Sequence, residues 1–95
     1  MAGTPEGKVK AKVKAWLKER NIFHFMPVSN GMGQVGIPDI IACSKGAFVG
    51  IEVKAPGKRA NTTPNQDRVI KQINDSGGIA AVVDDVSQLE GIFYG

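Results

Sequence analysis

Apolar residues recur at helical spacing near the start of the chain. Val9, Val13, Trp16 and Leu17 fall at i, i+4, i+7 and i+8, one stripe along a helix predicted over residues 5–20. Thr4 stands at the N-cap, and Pro5 fills the first helical position, where a missing N–H costs nothing. The period then changes. Residues 22–26 are apolar and partly aromatic and predict a strand over 22–28, which Pro27 pushes to a sheet edge or strand end. A glycine-rich loop occupies residues 29–38. Residues 39–44 and 47–54 read as two strands joined by a tight turn at Lys45-Gly46, a hairpin. The loop over residues 55–63 carries Pro56, Gly57 and a basic pair, Lys58-Arg59. Thr63 caps a second helix over 64–76, with Val69, Ile70 and Ile73 on its apolar face and Gly77-Gly78 as its stop. Residues 79–84 form a continuous apolar run, expected as a strand buried on both faces. A short final helix is expected over residues 86–91. The order is α-β-β-β-α-β, an α/β arrangement.

Composition narrows the function classes. At 95 residues and 10.1 kDa the chain is expected to be one domain, residues 1–95, with no room for a second core. Hydrophobic residues make up 42% and charged ones 22%, which fits a globular protein and not a disordered one. A membrane helix needs about 20 apolar residues; the longest run here is the five of residues 79–83. Residues 1–20 carry six Lys/Arg and no apolar segment, so they do not read as a secretory signal. With a single cysteine, Cys43, and a single histidine, His24, neither an internal disulfide nor a Cys/His zinc site is expected. The expected location is the cytoplasm. Cys43 reads as a small buried hydrophobe, Trp16 as core, and His24, alternating with Phe23 and Phe25, as a polar-face residue.

Charge is unevenly placed. The net charge is +3, yet residues 72–95 hold four acids (Asp75, Asp84, Asp85, Glu90) and no Lys or Arg. The basic first helix suits a polyanion such as nucleic acid; a solvated helix face explains the same residues. Two pattern matches fail on context. Gly31-Met32-Gly33-Gln34-Val35-Gly36 fits G-x-G-x-x-G, but Ile37-Pro38 and a strand follow where a dinucleotide site needs a helix. Asn61-Thr62-Thr63 fits a glycosylation pattern with no secretory signal to give it meaning.

The chemistry concentrates in the hairpin. Side chains alternate along residues 47–54, so Val49, Ile51 and Val53 share one face while Phe48, Gly50, Glu52 and Lys54 share the other. With the turn at Lys45-Gly46, Asp39 pairs opposite Glu52. Two carboxylates and an ammonium then converge. Close like charges are unfavourable unless neutralised, and Mg²⁺, with its preference for carboxylate, water and phosphate oxygens, is suited to the task. A lysine beside such an ion can orient water or stabilise charge on a phosphate. The set points to metal-assisted phosphodiester hydrolysis, with a surface ion pair as the plain alternative.

Gly36-Ile37-Pro38-Asp39, twelve intervening residues, Glu52-Val53-Lys54, and Gln66 opening a helix resemble the PD-(D/E)xK nuclease superfamily, and within it the VRR-Nuc (virus-type replication-repair nuclease) family of stand-alone phage or bacterial type. The resemblance covers nearly the whole chain. It implies a restriction-endonuclease-like αβββαβ core, a mixed sheet flanked by helices. It implies that Asp39, Glu52 and the Val53 carbonyl bind Mg²⁺, with Mn²⁺ as a substitute, and that Lys54 is catalytic. Glu6 would match the family's acid on the first helix, near the metal and reached through water; favourable charge at a helix N-terminus explains it equally. Gln66 would match an active-site glutamine, and it also completes a capping box with Thr63. The two roles compete for one side chain, with the active-site role expected. Lys58, Arg59 and Arg68 are candidates for DNA phosphates or for plain surface charge. Ser29 and Asn30, ahead of the glycines, could contact substrate, and neither is taken as a site residue.

These readings converge on a Mg²⁺-dependent, structure-selective DNA endonuclease acting in DNA repair. One small chain has one site, so symmetric cutting of a branched molecule calls for a homodimer. The resemblance implies a Holliday junction resolvase with a four-way junction as substrate. The alternatives are a less selective duplex endonuclease or nickase of the same superfamily, and a non-catalytic nucleic-acid-binding module.

Overall fold

The structure is a computed structural model that describes residues 3–28 and 34–95. The start of the glycine-rich loop, with Ser29, Asn30 and Gly31-Met32-Gly33, lies outside the described residues. The chain runs α1 (Pro5–Glu19), β1 (Phe23–Phe25), β2 (Ile40–Ser44), β3 (Ala47–Val53), α2 (Pro64–Asp75), β4 (Ile79–Val83), a 3₁₀ turn (Val86–Gln88) and α3 (Leu89–Tyr94). The predicted elements are all present, mostly a residue or two shorter; the first strand shrinks most, and the final helix extends to Tyr94.

The four strands form one sheet in the order β1-β2-β3-β4, antiparallel from β1 to β3 and parallel between β3 and β4. This is the expected mixed α/β sheet. Lys45 and Gly46 both take positive φ (51° and 83°), the two-residue turn whose twist matches a hairpin. That turn fixes the pairing Ile40↔Ile51, and Asp39 and Glu52 are the next residues along. The β3 alternation follows the prediction. Val49, Ile51 and Val53 join Ile40 and Ala42 beneath α1, whose Val9, Val13 and Leu17 complete the buried core. The other face meets α2, where Ile73 lies close to the Gly50 backbone. At the start of α1, the Thr4 hydroxyl accepts the Gly7 N–H at 2.9 Å.

Three expectations are corrected. Cys43 is exposed. It pairs with Phe23 and Phe48, themselves 67% and 46% exposed, on the part of the second face that α2 does not reach. His24 is not on a polar face: it pairs with Ala42, shares that residue's α1 side and is half-buried. Its Nδ1 lies 2.8 Å from the Ile22 carbonyl oxygen, and it is the flanking phenylalanines that face outward. Finally, the β4 run is not buried on both faces: Ile79 is exposed, and Ala81 and Val82 are half-buried. Trp16 is half-buried against the core, stacked near Phe93 (5.4 Å) and under the Arg20 guanidinium (3.9 Å).

Candidate active site

The hairpin end carries the first acid. Asp39 follows Pro38 immediately before β2, and its Oδ2 accepts the Val53 N–H at 2.9 Å. This bond ties the loop to β3 and orients the carboxylate. Glu52 lies on β3 with only 4% of its surface exposed. Lys54 is two residues further on the same face, its Nζ 3.8 Å from Glu52 Oε2.

Gln66 binds these residues together from the first turn of α2. Its Nε2 donates to Glu52 Oε2 at 3.0 Å, and its Oε1 accepts from Lys54 Nζ at 3.2 Å. The same Oε1 accepts the Thr63 N–H at 3.0 Å, while the Gln66 N–H donates to Thr63 Oγ1 at 3.1 Å. The competition expected between cap and site is therefore absent. A side-chain amide has an oxygen with two lone pairs and a separate donor end; the oxygen serves cap and lysine, the nitrogen serves the glutamate. Gly36 explains how α2 comes so near. Its φ is +83°, and a Cβ there would lie 2.4 Å from the Asn65 carbonyl oxygen and 3.0 Å from the Gln66 nitrogen. The first turn of α2 rests on the bare glycine of Gly36-Ile37-Pro38-Asp39.

The electrostatics are strained in the direction a cation would relieve. The Glu52 carboxyl is raised from 4.5 to about 7, with burial the largest cause. Within that rise the charge of Asp39, a hydrogen bond to it and the charge of Glu6 act in the same direction as burial, while Lys54 opposes. Two hard carboxylates forced together in a nearly buried place fit a small divalent ion such as Mg²⁺. Among the described residues no group of three or more His, Cys, Asp or Glu could hold a metal by side chains alone. An ion here would retain water or take backbone oxygen.

No family model matches the sequence, and no curated protein matches it. Solved structures do. One described as a VRR_NUC domain has a TM-score of 0.74 at 24% identity, covering 95% of each chain. Another, a VRR_NUC domain protein, has a TM-score of 0.73 at 24% identity, covering 95% of this chain and 85% of that one. This chain has the VRR-Nuc fold.

Within that VRR-Nuc fold the expected residues divide. Asp39, Glu52, Lys54 and Gln66 meet, with Val53 contributing its N–H. Glu6 is half-buried on α1 and reaches the cluster through its field. The basic candidates stand apart. Arg59 lies 3.8 Å from Asp84, and Arg68 donates to Asn65 at 3.4 Å. Lys58 is exposed. Two residues escaped the sequence reading. Lys10 places Nζ 3.6 Å from Asp39 Oδ1, and its spacing of four from Glu6 was the available signal. Asp84, just past β4, accepts from Gly57 N–H at 2.8 Å and Gln88 Nε2 at 2.6 Å, and these bonds hold its carboxyl below the ordinary range. It anchors the loop after Lys54, and no local sequence pattern announces that.

Proposed function

We propose that the chain is a Mg²⁺-dependent DNA endonuclease, selective for branched DNA and resolving four-way junctions as a homodimer. The observation that carries this reading is the contact network of Asp39, Glu52, Lys54 and Gln66 in a VRR-Nuc fold. Asp39, Glu52 and the Val53 carbonyl would hold the ion, with Glu6 acting through water. When bound, Mg²⁺ supplies Lewis-acid stabilisation of a phosphate oxygen and a more acidic water. The protein's own part is positional. Gln66 fixes the Lys54 ammonium beside Glu52, where it can orient an attacking water or offset charge building on the phosphate. The Val53 N–H holds Asp39 in a fixed rotamer, so little reorganisation accompanies the reaction.

The dimer contact would lie on the outer face of the sheet at its β1 end. Phe23, Phe25 and Phe48 are 67%, 49% and 46% exposed on one face. At about 200 Å² per ring these three leave roughly 300 Å² of aromatic surface open, a fitting centre for an interface of about 800 Å² per partner. The patch carries no charge, so it suits a second copy of itself better than a phosphate backbone.

The test is cleavage of a labelled four-way junction beside a linear duplex, in Mg²⁺ or EDTA, by wild type and Glu52→Ala. Metal-dependent symmetric cuts in the junction, lost in the variant with binding retained, are expected. Equal cutting of both substrates would replace the resolvase by a general duplex endonuclease or nickase. Binding without cutting in Mg²⁺ and in Mn²⁺ would leave a non-catalytic module. Sedimentation of Phe25→Asp checks the interface: a monomer is expected, and an unchanged dimer would move the contact elsewhere.

A further inference from the structure

The α1 lysines do not share one environment. Lys8, Lys12, Lys14 and Lys18 are exposed, whereas Lys10 is half-buried with 26% of its side chain open. It lies one turn after Glu6, on the flank of the buried stripe that turns toward the hairpin end. Its Nζ stands 3.6 Å from Asp39 Oδ1, the carboxylate oxygen left over after Oδ2 takes the Val53 N–H. That distance is an ion pair and not a hydrogen bond. Without a hydrogen bond, and with water still reaching both partners, the pair is weaker than a close charge-assisted contact. Asp39 thus has one oxygen fixed by a backbone N–H and one paired by charge alone.

The charge count gives the pair a meaning. Glu6, Asp39 and Glu52 face Lys10 and Lys54 at this end of the sheet. Adding a divalent ion at the carboxylates makes a second cation on Asp39 redundant and repelled. Lys10 then has a flexible four-carbon stem, a full charge and no partner, at the lip of a site whose substrate is a polyanion.

We propose that Lys10 is a further substrate-binding residue: it pairs with Asp39 while the carboxylates hold no cation and turns to a DNA backbone phosphate once they do. This rests on the nuclease reading above. It makes Lys10 a competitor of the metal in the free protein and a contributor to DNA affinity in the loaded one.

The test uses Lys10→Met, Lys10→Arg and, as control, Lys14→Met, one turn further along α1 and without an ion-pair partner among the described residues. Calorimetric titration with Mn²⁺, without DNA, should show Lys10→Met binding about threefold or more tighter than wild type, because a nearby positive charge is gone. Junction binding in Ca²⁺ should weaken about fivefold, with the salt slope of log K lowered by about one. Lys10→Arg should restore DNA binding, and Lys14→Met should leave Mn²⁺ affinity unchanged. An unchanged or weaker Mn²⁺ affinity in Lys10→Met overturns the competition, and unchanged DNA binding overturns the phosphate contact. If wild type binds Mn²⁺ and cuts DNA while Lys10→Met matches it throughout, only this inference falls. If wild type binds no Mn²⁺, the nuclease reading falls and takes it along.

Discussion

Replacing Glu52 by Gln should stabilise the metal-free protein, and only above neutral-acid pH. Burial and Asp39 raise the Glu52 carboxyl from 4.5 to about 7, so the folded chain holds this proton more tightly than the unfolded one. Stability therefore falls as pH rises from 4.5 toward 7 and levels off above. At about 1.4 kcal/mol per tenfold change in proton affinity, the deficit reaches about 3 kcal/mol at pH 8. Glutamine removes the charge but keeps an oxygen to accept from Gln66 and a donor toward Asp39. In EDTA, Glu52→Gln should match wild type at pH 5 and exceed it at pH 8, by a melting temperature on the order of 10 °C for a chain of this size. Urea or thermal denaturation at four pH values reads the difference directly, and other titrating groups cancel between the two proteins. Adding Mg²⁺ should raise wild type and leave the variant unmoved. A stability difference independent of pH, or one that grows toward acid, would refute the account of Glu52.

Gly36→Ala combines left-handed backbone with a Cβ 2.4 Å from the Asn65 carbonyl oxygen. It should cost about 1–3 kcal/mol by denaturation and shift Gln66 enough to lower kcat on the order of 100-fold. Gln66→Ala removes the side-chain half of the capping box, the bond from the Thr63 N–H, and the tether of Lys54, while its backbone N–H still reaches Thr63 Oγ1; we expect about 1 kcal/mol lost in urea titration, with a much larger loss in single-turnover cleavage. Leu17→Ala, at 0% exposure under the sheet, should cost about 2–5 kcal/mol by the same titration and leave Mn²⁺ affinity intact.

What was legible in the sequence was what local spacing decides. Val9, Val13 and Leu17 announce the buried face of α1, and Lys45-Gly46 sets the register that brings Asp39 opposite Glu52. What was not legible depends on which element covers which part of the sheet. The outward phenylalanines and the inward His24 follow from α2 leaving one corner bare, a tertiary fact with no signature in a three-residue strand. Lys10 reaches Asp39 across 29 positions of sequence, and its spacing of four from Glu6 marks it out among the five lysines of α1 without saying which acid it would meet. Gln66 was legible as cap and as site residue; only the geometry shows that an amide has ends enough for both.

The far side of the sheet carries a different lesson. The Asn74 side chain donates to the Ala80 carbonyl at 3.2 Å and accepts the Ala80 N–H at 2.9 Å. An amide from α2 thus occupies, on the edge strand β4, groups that an arriving strand would need. A sheet with two equally sticky margins can add copies without end, each addition renewing the margin it consumes. At Ala80 the β4 margin is already taken, so a strand arriving there would first have to displace the amide of Asn74.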